Sequence, residues 1–223
     1  MPDGTQPYDA CMPSRPSDHY LKPYHEAVKR FGPSFSATLW NSREAQQLRF
    51  DVMIELAGFE DSVVLDAGCG TGDFGDRLIR RGVKFKRYIG IDAVDQLIEA
   101  ARGRDLERCE FHHADLIHDH SPLARFSPDV VCISGTLNTM DEEMARELVS
   151  DAFDAARKGV VFNFLSNRTS VNCTRRDIGP ARRFDTIKWI DWSLSRTSLV
   201  SFSQEYLEGH DATIMMRKES GGD

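Results

Sequence analysis

The sequence predicts a doubly wound α/β fold, and three observations carry that prediction. Short apolar runs alternate with single amphipathic helices between about residues 60 and 165, the rhythm of right-handed βαβ units around a parallel sheet. The first run lies in the stretch VVLDAGCGTG, Val63 to Gly72, and feeds a glycine-rich turn that opens a helix, the arrangement with which α/β proteins expose backbone N–H groups to a nucleotide-like ligand. Near the end, two extended segments, Ser198–Tyr206 and Ala212–Met216, meet at a turn around Gly209 and predict an antiparallel hairpin. Five runs and the hairpin make a mostly parallel sheet of seven strands.

Taken in order, residues 1–18 hold Pro2, Pro7, Pro13 and Pro16 with little periodicity and read as a flexible tail. Residues 19–223 read as a single domain with a sizeable core. Tyr20, Leu21, Tyr24, Ala27, Val28 and Phe31 have helical spacing, broken by Gly32 and Pro33. A second helix runs from about Ser42, a capping residue, to Ala57, with Gly58 as its stop. Its apolar side comes from Leu48, Val52 and Leu56 with Phe50, Met53 and Ile54. These two helices form an N-terminal annex over residues 19–58. The centre then reads strand Val63–Leu65, helix Asp73–Arg81, strand Arg87–Ile91, helix Gln96–Arg102 and strand Cys109–His112. Strand Val130–Ser134, helix Asp141–Ala156 and strand Val160–Leu165 follow. An insertion of about 166–197, Arg-rich and then helical over Thr186–Leu194, is expected to shape a substrate pocket.

Composition narrows the function. Lys and Arg number 28 against 35 Asp and Glu, a net charge of −7 that argues against non-specific attraction to nucleic acid or an anionic membrane. No cationic start precedes an apolar run, so neither a signal peptide nor a spanning helix is expected. The five cysteines form no CxxC pair, which fits reduced thiols and a cytoplasmic location. No His/Cys cluster has metal-ligand spacing, so no metal is expected.

The spacing of the glycines matters more than their number. A dinucleotide fingerprint counted from Gly68 requires glycine at position 73, where this chain has Asp73, and the lysine of a P-loop is absent. What stands is D-x-G-x-G-x-G: Asp66, Gly68, Gly70, Gly72. Asp92 follows the apolar strand RYIGI, and a carboxylate there accepts two hydrogen bonds from a ribose diol. Asp115, in HHADL after the third strand, is placed to accept from the exocyclic amine of adenine, with the N–H of Leu116 toward a ring nitrogen.

Over roughly residues 60–165, and more weakly to the final hairpin, the chain resembles the class I S-adenosylmethionine (SAM)-dependent methyltransferases. The resemblance implies a Rossmann-like sheet, SAM as cofactor and S-adenosylhomocysteine (SAH) as product. It implies that Gly68, Gly70 and Gly72, with Asp66 beneath them, pack under the methionine portion. Asp92 with Ala93 would hold the ribose, and Asp115 with Leu116 would frame adenine. The segment Ser134–Asn138 takes the family's substrate-facing position; Ser134 and Asn138 stand where an acidic or aromatic residue is frequent, which leaves the acceptor chemistry open. The chain also lacks the Asn/Asp-Pro-Pro-Tyr motif of enzymes that methylate amide or exocyclic nitrogens. The annex is implied to act as a helical lid. Trp40 and Arg43 are expected near the cofactor, the guanidinium beside its carboxylate, although a core aromatic is an equal reading of Trp40. Tyr24 is assigned to the substrate, and Arg49 reads as a solvated helix residue.

Methyl transfer from a sulfonium is a direct displacement that needs alignment, and a general base only for a poorly activated, protonated acceptor. Histidines 25, 112, 113 and 210 are candidates, with His25 and His113 as the assignments. Between residues 166 and 185 five arginines (Arg168, Arg175, Arg176, Arg182, Arg183) face two aspartates (Asp177, Asp185), so Arg168 and Arg175 are assigned to an anionic substrate. The expectation is therefore methyl transfer from SAM to an O or N atom of a small molecule, with a homo-oligomer left open. Two rivals remain: a non-catalytic SAM- or SAH-binding partner protein and an NAD-dependent oxidoreductase.

Overall fold

The computed structural model describes residues 19–170, 179 and 181–219. The tail 1–18 and the assigned Arg175 lie outside the described residues.

Among the described residues, eight strands form one sheet: β1 (Val63–Ala67), β2 (Arg87–Asp92), β3 (Cys109–His113), β4 (Val130–Ile133), β5 (Gly159–Ser166), β6 (Arg183–Phe184), β7 (Val200–Ser203) and β8 (Asp211–Arg217). The order is β3-β2-β1-β4-β5-β8-β7, with the two-residue β6 paired to the end of β5. β1 to β6 pair in parallel, while β8 pairs antiparallel with both β5 and β7. The expected seven-strand path and terminal hairpin are thus present, and β6 is an addition that apolar patterning does not signal in so short a segment.

The seven α-helices described are α1 (Lys22–Phe31), α2 (Arg43–Ala57), α3 (Asp73–Arg80), α4 (Asp95–Arg102), α5 (Ser121–Arg125), α6 (Glu142–Ala155) and α7 (Thr186–Arg196). Alternate strand residues face opposite layers. Leu65, Ala67, Ile89, Ile91, Val131, Ile133, Val160 and Phe162 pack with α5, α6 and Trp189 of α7. Val64, Tyr88, Val130, Cys132 and Val161 pack on the other face with Phe50 and Met53 of α2, Phe74 and Leu78 of α3, and Ile98 and Ala101 of α4. Both faces of the sheet are therefore covered, which is why the strands read as continuous apolar runs.

The annex divides in two. α1 and a 3-10 turn at Phe35–Thr38 pack Ala27, Val28 and Ala37 onto Val94 and Leu97, beyond the end of β2. α2 belongs to the sheet layer instead: it buries Gln46, Arg49, Phe50 and Met53 and leaves Leu48 exposed. Its buried face is thus turned from the one that apolar spacing predicts, because Arg49 finds a buried partner. None of the described helices is long and apolar enough to cross a membrane.

Candidate functional site

Chain progression along the sheet reverses between β1 and β4, and open α/β sheets bind ligands at the carboxyl ends of the strands at such a point. A cavity of about 570 Å³ opens there, a size suited to a cofactor and a small molecule. Its floor is the loop after β1. The N–H groups of Gly68 and Cys69 both donate to the carbonyl of Ile91, at 2.8 and 3.0 Å, which ties the loop to the end of β2. The N–H of Gly70 donates to Oδ2 of Asp92 at 2.8 Å, and that of Val94 donates to Oδ1 at 2.9 Å.

Two glycines are dictated by close approach. Gly68 has a φ of +86°, and a Cβ there would run into the Thr136 side chain, whose hydroxyl donates to the Ala67 carbonyl at 3.1 Å. Gly135, at φ +75°, lies under Trp40, whose ring a Cβ would meet at 2.6 Å. The neighbour that excludes a side chain at these positions is therefore another part of the protein.

Asp66 is 2% exposed, and its Oδ2 accepts from the Tyr88 hydroxyl. Its Oδ1 is buried with no hydrogen-bond partner, and the residue lines the cavity. Burial pushes the carboxyl up to about 7 against the Tyr88 hydrogen bond, and the charges of Asp92 and Asp73 raise it further. Burial also raises Asp92, opposed by its two backbone donors. The Tyr24 phenol is pushed up to about 12, first by burial. The floor of the site is an acidic, partly desolvated surface that favours a cationic ligand.

Of the residues singled out from the sequence, Asp66, Gly68, Gly70, Asp92, Ala93, Leu116, Ser134, Trp40, Tyr24 and Asn138 line this one cavity. Ser134 accepts at Oγ from Asn163 at 2.9 Å, and the Asn163 carbonyl oxygen accepts from the Gly135 N–H at 2.9 Å, so a buried amide on β5 holds the end of β4. Asn138 accepts from the Leu165 N–H at 3.2 Å.

Others lie elsewhere. Gly72 caps α3 behind the loop. Asp115 turns to Tyr20, to the N–H of Ile117 at 2.9 Å and to His118 at 2.7 Å. Burial opposes its ionisation, but those hydrogen bonds outweigh it and hold the carboxyl below the ordinary value. Its neighbours Ala114, Leu116 and Ile117 form the cavity wall. Arg43 is exposed, its guanidinium 4.3 Å from the centroid of the Phe35 ring. His25 is exposed on α1, and His113 contacts the Ala93 carbonyl at 3.1 Å from outside the cavity. Arg168 is exposed as well. Away from the site, His120, Glu147 and Asp151 bring ligand atoms within 4.8 Å of one another, with Nδ1 of His120 2.5 Å from Oδ2 of Asp151.

The structure also brings in residues that were not assigned to the site from the sequence. Arg49, read as solvated from the sequence, is 6% exposed and lines the cavity. Its Nε and Nη2 each donate at 2.6 Å to one oxygen of Asp211, which is 1% exposed. The same guanidinium lies 4.9 Å from the centroid of the Trp40 ring. His210 lines the cavity with Nδ1 2.7 Å from Oδ2 of Asp211. Burial raises Asp211, but His210 and Arg49 more than compensate and hold it below the ordinary carboxylate value. One signal was legible: β8 runs antiparallel, so the residues that begin it must lie at the ligand edge of the sheet.

Residues 64–159 match a family model described as a methyltransferase domain. No curated protein sequence matches the chain. Among solved structures, an O-methyltransferase family protein from Burkholderia thailandensis is 18% identical with a TM-score of 0.69, over 92% of this chain and 64% of that one. Magnesium protoporphyrin IX methyltransferase from Synechocystis PCC 6803, solved with SAH, is 15% identical with a TM-score of 0.64, over 91% of this chain and all (100%) of that one. Phosphoethanolamine N-methyltransferase 1 of Haemonchus contortus, solved with phosphoethanolamine and SAH, is 14% identical with a TM-score of 0.66, over 93% of this chain and 50% of that one.

Proposed function

We propose that the chain is a class I SAM-dependent methyltransferase and that it methylates an O or N atom of a small molecule held between the β1 loop and the start of β8. The observation that carries this reading is the cavity itself, in which the acidic floor and the substrate-facing residues after β4 share one space.

SAM supplies a methyl group on a positively charged sulfur, beside an ammonium and a carboxylate. The residues present fit it. Asp66 offers a buried, unpartnered carboxylate oxygen suited to an ammonium. Asp92, fixed by two backbone N–H groups, has further lone pairs for a ribose diol. Val94, Leu97, Leu116 and Ile117 give an apolar slot suited to adenine. Tyr24 of α1 and Thr38 of the 3-10 turn line the cavity beside that slot. Asn138 and Ser134 orient the acceptor. An anionic acceptor is favoured by Arg30 at the cavity and by the Arg-rich sequence after β5.

Calorimetric titration of the full chain tests the reading. SAH should bind, NAD should not, and Asp92→Ala should weaken SAH by about 10- to 100-fold, the scale of a lost pair of hydrogen bonds to a charged group. Binding of NAD in place of SAH, or SAH binding indifferent to Asp92, would refute it.

A further inference from the structure

We infer that His120, Glu147 and Asp151 form a binding site for a zinc ion, which ties the turn before α5 to α6. The site lies away from the cavity and stands independently of the methyltransferase reading.

The ligands come from two elements that pack together. Glu147 and Asp151 are four residues apart on α6, so their side chains share one face of that helix. His120 comes from the turn that leads into α5. Its Nδ1 stands 2.5 Å from Oδ2 of Asp151, and one ligand atom from each of the three residues falls within 4.8 Å of the others.

Two observations point to a cation. The first is the histidine. Nδ1 is shielded from solvent and makes no hydrogen bond, because the Asp151 oxygen, though near, lies off the direction that an Nδ1–H would take. The nitrogen's lone pair is therefore not spent on that oxygen, and a buried polar atom in this state calls for a partner. The second is charge. Among the described residues neither carboxylate has a lysine or arginine partner: Arg146, next to Glu147, pairs with Glu142 at 2.9 Å, and Arg196 takes Asp154 at 2.7 Å. Like charges one helical turn apart repel, and a divalent cation between them reverses the sign of that term.

Donor chemistry selects the ion. One imidazole nitrogen with two carboxylate oxygens suits zinc, whereas magnesium and calcium take oxygen ligands. Zinc bonds to nitrogen and oxygen are about 2 Å long, so two ligand atoms stand up to about 4 Å apart. The His120 and Asp151 atoms are already that close, and the exposed Glu147 closes the remainder by rotating its own side chain. Water completes a four-coordinate shell. α5 spans only Ser121–Arg125, too short to hold itself, and the ion fixes its lead-in to a helix of 14 residues.

Metal titration of the full chain, stripped with a chelator and kept reduced, tests this. Zinc, measured by competition with a chromophoric chelator, should bind one-to-one. Cobalt in its place should show d–d bands without the charge-transfer band of a thiolate, a needed control in a chain with five cysteines. His120→Gln and Glu147→Gln should each weaken zinc by at least about tenfold, the loss seen when even an outer partner of a metal ligand is removed. Free zinc at about 100 times Kd should raise the wild-type Tm by about 5–11 °C, and that of neither variant. Glu147 is exposed, so Glu147→Gln keeps the fold and should melt with wild type when zinc is absent. A thiolate band, uptake that survives His120→Gln, or the lack of a saturable one-to-one site would overturn the proposal. So would a Tm that zinc leaves unmoved in wild type or moves equally in the variants, which would make a protonated His120 the counter-charge of the two carboxylates.

Discussion

Replacing Arg49 with methionine should destabilise this protein more than any exposed substitution on α2. Arg49 is 6% and Asp211 1% exposed, and the two share a bidentate contact with both distances at 2.6 Å. Removing one partner of a buried pair leaves the other charge desolvated, at about 3–5 kcal/mol. Asp211 retains His210 as a partner, which places the expected cost toward about 3 kcal/mol. For a chain of this size each kcal/mol shifts Tm by about 2–4 °C, so the variant should melt about 6–12 °C lower. Urea unfolding at pH 7 with calorimetric melting checks this. The double variant Arg49→Met, Asp211→Leu should regain most of the loss, because an apolar pair leaves no buried charge. A single-variant loss under about 1 kcal/mol, or a double variant worse than the single, would refute the reasoning. The pH dependence has a definite sign. Asp211 is held below its ordinary value, so its contribution is present above the unfolded carboxyl pKa and is lost as pH falls through the lower folded one. The gap between wild type and Asp211→Asn should therefore close in acid, below about pH 4.

Asp66 behaves in the opposite sense. Its folded pKa of about 7 lies above the ordinary 3.8, so the ligand-free protein should lose stability as pH rises through that window, and Asp66→Asn should flatten the slope in pH-dependent unfolding. Near pH 7, SAH binding by wild type should release protons as the ammonium draws Asp66 into its charged form, and calorimetry in buffers of different ionisation enthalpy should find that release missing in Asp66→Asn. Gly135→Ala should cost about 1–3 kcal/mol and alter tryptophan fluorescence, since its Cβ would press on Trp40 at a φ of +75°; unchanged fluorescence and stability would contradict the packing described.

The parts of this protein legible from the sequence were those that local repetition encodes. Buried parallel strands must be apolar on both faces and their helices on one, so β1 to β5 and most of their helices stand out from composition and spacing alone. The motif from Asp66 to Gly72 and the acidic end of β2 announced the cavity floor, because a strand end that feeds a glycine turn has few other uses. Tertiary structure decided the rest. Arg49 sits on a helix face where charge ordinarily meets solvent, and only the arrival of Asp211, 162 residues later, makes burial tolerable. His25, His113 and His210 were all candidates from sequence; of these three only His210 lines the cavity, because β8 reverses direction and carries its first residues to the ligand edge. Spacing along a chain encodes which residues share a face of one element. Which faces then meet depends on strand order and direction, and a long-range charge pair leaves no period in the sequence from which it could be read.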